Sequence, residues 1–167
     1  MYIYDFIQGL IIGGTLIIAI GPQNLFVIQQ GLKKSYVFTV TLFCSLSDSL
    51  LIVIGIYLSN YIVQINPSII GIIKVLGGIW LIFYGLNKVI KLNQIKDINK
   101  ELNIINEYGK VLITLFLITY ANPHVYLDTI ILLGSLSTNF NDQFSFGVGA
   151  ISASFLFFFS LGYMSKF

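Results

Sequence analysis

The sequence predicts an all-α membrane protein with five transmembrane helices, the first and fourth broken at proline. Three observations carry this reading. Hydrophobic residues make up 56% of the 167 and charged residues only 10%, whereas soluble domains carry about 25% charged residues. Mean hydropathy is +0.88, and several stretches reach the ~20 apolar residues that cross a bilayer. Two of those stretches contain a proline and polar side chains at their middle: Gly21-Pro22-Gln23-Asn24 and Asn122-Pro123-His124-Val125-Tyr126-Leu127-Asp128. Proline removes a backbone donor and clashes with the preceding turn, which frees carbonyls such as those of Ile18 and Thr119.

The first span runs from about Phe6 to Gln29; Met1 to Ile7 contains Asp5 and no basic residue, unlike a secretory signal. The second runs from about Tyr36 to Tyr57, followed by a loop from Ser59-Asn60 to Asn66-Pro67. A third runs from about Ser68 to Lys88, a fourth from Val111 to Ser137 and a fifth from Phe144 to Met164. Between the third and fourth, the Lys88–Lys110 stretch mixes Lys, Asn and acidic residues and reads as a solvated linker, with an amphipathic surface helix as the other reading.

The basic residues are all lysines and hug segment ends: Lys33 and Lys34, then Lys88 to Lys110, then Lys166. Under the positive-inside rule these ends are cytoplasmic, which puts the N-terminus outside and the C-terminus inside; Lys74 snorkels from near a span end. The lysines lack the interleaved aromatics that stack on bases, so a nucleic-acid partner is not expected. Cys44 is the single cysteine, which excludes an internal disulfide or a thiolate metal cluster.

The two breaks expose a repeat. Pro22 answers to Pro123, Gly21 to Asn122 and Gln23 to His124, while Gly55-Ile56-Tyr57 resembles Gly162-Tyr163. Three spans per half would invert the halves in the membrane, a six-helix 3+3 architecture of secondary transporters in which matched breaks mark the transport site. Residues 1–90 then form the first repeat, 91–110 the linker and 111–167 an incomplete second repeat of a single transporter domain, with no partner for the third span.

Charge within the spans is sparse. Asp48, flanked by Ser45, Ser47 and Ser49, and Asp128, one turn beyond His124, are the carboxylates of the second and fourth spans. A carboxylate at a helix centre costs about 2.5–3.5 kcal/mol on insertion scales, so it faces a cavity or a partner. Asp48 and Asp128 are therefore candidate substrate-binding residues, and the polar Gln23, Asn122 and His124 join them at the breaks made by Gly21, Pro22 and Pro123; Asn24 is added to this set by the resemblance described next. Two readings stay open for His124, a proton carrier or a neutral residue capping the broken helix. His124 and Asp128 alone are too few ligands for a metal, and no cofactor is expected. Glycines such as Gly9, Gly13, Gly14, Gly147 and Gly149 suit close helix packing.

The run Gly21-Pro22-Gln23-Asn24-Leu25-Phe26-Val27-Ile28-Gln29-Gln30-Gly31-Leu32 resembles the signature of the LysE-type amino-acid efflux family. Cys44-Ser45-Leu46-Ser47-Asp48-Ser49-Leu50-Leu51-Ile52, Asn122 to Thr129 and Leu133-Gly134-Ser135 resemble it too, so the likeness extends from about Gln8 to Tyr163. The resemblance implies export of the basic amino acids arginine and lysine across the bacterial inner membrane, with Asp48 and Asp128 important to transport and Asn24 and both breaks in the translocation region. Proton exchange would drive it, because an incoming proton cancels the outgoing charge. Members of that family continue into a sixth span where this chain stops at Phe167, so a truncated copy is expected. The partners implied are arginine, lysine, protons and the lipid bilayer; a homo-oligomer stays open. Two other readings also stay open: a channel-like or non-transporting membrane scaffold, and an intramembrane enzyme using His124.

Overall fold

The computed structural model describes residues 2–18, 21–66 and 107–167, together with 68, 71, 72, 75, 76, 79, 82 and 83. The described residues are helical, with no strand among them. Most of the third span and of the linker lies outside the described residues; the described helices give two apolar spans, or four where each bent pair counts as one.

Helix α1 (Ile3–Ile17) begins with Asp5 in its first turn, where a carboxylate suits the positive helix end. It stops because Pro22 cannot continue it, and Gly21 before the proline is extended at φ −110° and ψ 179°. Helix α2 (Pro22–Leu32) then restarts with proline at its first position, where the missing donor costs nothing. The two are bent by 83°. A tight turn follows, with Lys34 and Tyr36 both left-handed at φ 54° and 52°.

Helix α3 (Val37–Ile65) is longer than the sequence implied. Ser59, Asn60 and Gln64 are helical, not loop, and Ser59 is buried with its hydroxyl against Gly134. No residue breaks the helix before Asn66, which turns extended ahead of Pro67.

Helix α4 (Tyr108–Tyr120) ends at Ala121, and α5 (Pro123–Tyr126) restarts at the second proline. The chain continues through a π-helical stretch (Leu127–Leu133) into α6 (Gly134–Ser137), bent by 58° from α4. Helix α7 (Gln143–Met164) is capped by Asp142, whose carboxylate accepts from the Ser145 N–H at 3.1 Å. The ends of the fourth and fifth spans thus fall within a few residues of those expected.

Contacts between helices fix their directions. A Cβ on Gly9 would strike the Phe146 backbone, one on Gly13 the Ala150 Cα at 2.9 Å, and one on Gly31 would approach Gly162 and Ser165. Residue numbers rise together along α1–α2 and α7, so the bent pair crosses the full length of α7 as one span. Along α3 they fall: Thr41 meets Gly162, Asp48 meets Ser154 and Ile56 meets Gly147. The fourth span runs with α3, pairing Tyr108 with Tyr36, Tyr120 with Ser47 and Ile130 with Gly55. The two bent pairs therefore run in opposite directions. Lys33, Lys34, Lys110 and Lys166 gather at one end, and Asp5 and Asp142 at the other.

Small residues make this packing: without a Cβ, backbones approach and gain dispersion contact that lipid cannot supply. Two apolar clusters fill the interior. Phe26, Val27, Val40, Cys44, Val111, Leu115 and Phe158 pack toward the lysine end. Ile52, Leu133, Phe146 and Ala150 pack toward the other.

Candidate functional site

Between the two clusters lies a cavity of about 60 Å³, lined by residues from α1, α2, α3, α7 and the second break. Gly21, Gln23, Asn24, Asp48, Asn122, His124 and Asp128 all line it. The structure thus brings together every candidate binding residue named from the sequence, while Pro22 and Pro123 open the helices beside it.

Each side chain is placed by local chemistry. A helix end leaves its last carbonyls without backbone donors. At the first break the Asn24 amide donates to the Ile17 carbonyl at 3.0 Å, and at the second the Tyr126 hydroxyl donates to the Tyr120 carbonyl at 2.7 Å. The carbonyls so claimed are neighbours of the expected Ile18 and Thr119, because α1 and α4 end at the bend and it is their terminal groups that lack donors. Asn122 caps the second break: its side-chain oxygen accepts from the His124 N–H at 3.1 Å.

The His124 ring lies 3.4 Å from Asp128, Nε2 to Oδ2, one helical turn away. Asp48 has its partner on another helix: the Ser154 hydroxyl donates to Oδ2 at 3.3 Å. Its flanking serines do not serve it. Ser45 and Ser49 donate to carbonyls one turn back, and Ser47 accepts from the Tyr120 hydroxyl. The Gln23 amide lies beside both the Asp48 carboxyl and the Cys44 thiol. Among the described residues no three His, Cys, Asp or Glu side chains converge as a metal site requires.

Asp128 and Thr129 sit in the π-helical stretch, a distortion that recurs at functional sites. The Thr129 hydroxyl donates to the Val125 carbonyl at 2.7 Å, and both residues line the cavity. Thr129, Ser154 and Phe158 escaped sequence reasoning; a serine or phenylalanine on an apolar helix carries no local sign of what it will face.

Outside the membrane-spanning segments, Asp5 is buried and its carboxylate accepts from the Asp142 N–H at 2.9 Å. The Asp142 carboxylate accepts in turn from the Tyr2 N–H. Hydrogen bonds from the Ser145 side chain and backbone hold the Asp142 carboxyl below the usual carboxylate range.

The cavity has room for a few water-sized groups and falls far short of the ~300–1,000 Å³ typical of ligand pockets. Anything larger therefore requires the surrounding helices to part.

Comparison with known proteins sets this geometry among relatives. The family described as LysE type translocator matches residues 15–167. The arginine exporter protein ArgO of Klebsiella pneumoniae (strain 342) is 36% identical over 169 aligned residues, covering 99% of this chain and 79% of that protein. The proteins of the same name from Shigella flexneri and Escherichia coli (strain K12) are each 35% identical over the same shares. No solved structure matches the chain. With apolar helices crossing in opposite directions, paired breaks at one buried cavity and a family match over nearly its whole length, the chain belongs to the LysE family of translocators.

Proposed function

We propose that the chain exports basic amino acids, arginine foremost and lysine with it, across the bacterial plasma membrane in exchange for protons. One observation carries this reading: Asp48 and Asp128 share a single cavity with both helix breaks. The names of its relatives support arginine as the cargo. Two carboxylates in one desolvated hollow are each costly without a partner. A cationic side chain satisfies them, and so do protons, so cargo and proton compete for the same oxygens. That competition is the basis of exchange.

The positive N-terminal end of α2, beside the first break, suits the substrate's α-carboxylate. The lysine-bearing end is cytoplasmic, which places the N-terminus outside and the C-terminus inside. Residues 1–90 and 111–167 are read as the two inverted repeats, joined by a cytoplasmic linker over 91–110.

Proteoliposomes containing the chain test this. Loaded with labelled arginine, they should release it intact, faster when protons can enter. Asp128→Asn and Asp48→Asn should abolish release at equal membrane content. Full proton-dependent efflux by Asp128→Asn would refute the assignment.

A further inference from the structure

The carboxylates explain why a cation is held but not which cation, since an ammonium and a guanidinium carry the same charge. The wall beside Asp48 differs in how it treats the two. Ser154, which donates to Asp48, is followed one helical turn later on α7 by Phe158. Residues spaced by four share a helix face, and Phe158 lines the same cavity as Asp48. Apart from the His124 imidazole, Phe158 carries the only aromatic ring lining the cavity among the described residues. Its other side is fixed in the apolar cluster with Phe26, Cys44 and Leu115, and Phe157 packs edge-on against it at 5.5 Å between centroids. The ring is thus pre-organised, one surface in the core and one on the cavity.

A guanidinium is planar, weakly hydrated and stacks on aromatic faces, whereas an ammonium is compact, strongly hydrated and wants oxygen partners all round. The rest of the wall mixes apolar Leu16, Ile17, Ile52 and Leu133 with polar Gln23, Asn24, Asn122 and Thr129, so oxygens are offered to either cation and the ring is what tells them apart. We propose that Phe158 is the residue that selects a guanidinium side chain over an ammonium one. The inference rests on the export reading above and names the side chain that decides its substrate.

The test is competition. Proteoliposomes are loaded with equal arginine and lysine, and the ratio of their initial efflux rates is measured for wild type, Phe158→Leu, Phe158→Met and Phe158→Tyr. A desolvated cation–π contact corresponds to roughly a thirty-fold change in affinity. The arginine preference should therefore fall about ten- to thirty-fold in Phe158→Leu. Phe158→Met, which keeps volume without a ring, guards against loss through poor packing and should behave alike. Phe158→Tyr should keep the preference. An unchanged ratio in both ringless variants, with wild type active, overturns this inference alone. Wild-type vesicles that release neither amino acid overturn the export reading and this inference together.

Discussion

Replacing Gly55 with alanine puts a methyl group where α3 meets the π-helical stretch. The added Cβ would stand 2.7 Å from both the Ile130 Cα and the Thr129 carbonyl oxygen, and 2.9 Å from the Ile130 carbonyl oxygen. Ordinary contact begins at 3.4 Å, so the two elements must separate by about 0.7 Å. All three obstacles are backbone atoms and cannot rotate aside. Overpacking of this kind costs ~1–3 kcal/mol, and the upper half of that range is expected here. Asp48 lies two turns from Gly55 on α3, and Asp128 is the neighbour of Thr129, so the separation also pulls the two carboxylates apart. Misplacing binding groups by about 1 Å costs on the order of a hundred-fold in rate. Gly55→Ala should therefore lower the melting temperature in detergent and cut arginine efflux by ten- to a hundred-fold at equal membrane content. Gly109→Ala is the matched control: a Cβ there meets nothing within 4 Å, so it should leave efflux unchanged. Wild-type efflux by Gly55→Ala would refute the claim that this contact sets the site.

Three further outcomes are expected. Tyr126→Phe removes the donor to the Tyr120 carbonyl and leaves that partly buried acceptor unmet, at a cost of ~1–3 kcal/mol that thermal unfolding in detergent would detect. Asp142→Ala removes the α7 cap and the clasp to Tyr2, and should lower the unfolding temperature at neutral pH. Because the folded Asp142 carboxyl titrates below its ordinary value of 3.8, its contribution is fully present above about pH 4. It fades as the pH falls through the lowered value, so wild type and Asp142→Ala should converge in acid. In a Cys44→Ser background, Lys34→Cys should react with a membrane-impermeant maleimide only from the cytoplasmic side and Asn141→Cys only from the outside; the reverse pattern would overturn the proposed orientation.

What the sequence reveals here is what local chemistry decides. Pro22 and Pro123 dictate breaks wherever they stand, so both bends and the polar residues beside them were legible, as were the carboxylates that an apolar span cannot carry idly. The end of α3 was not, because Ser59 and Asn60 look like loop residues yet nothing before Pro67 forbids a helix. The π-helical stretch has no signature in Leu127–Leu133, and its close packing against Gly55 pairs residues far apart in the chain, which no local pattern announces. Ser154 and Phe158 belong to the site only because glycine and alanine contacts set α7 against α1 and α3. The glycines could be read as packing residues; which helices they would join could not.

The partnership of Ser154 with Asp48 also fixes an electrical depth. Ser154 stands 11 residues from the Gln143 end of α7 and 10 from the Met164 end, so the anion it steadies lies midway through the field. Of the ~2.3 kcal/mol that 100 mV exerts on one elementary charge, roughly half falls on either side of that point. Under the proposed exchange, loading from one face and discharge to the other would each cross about half of the field, as would the returning proton.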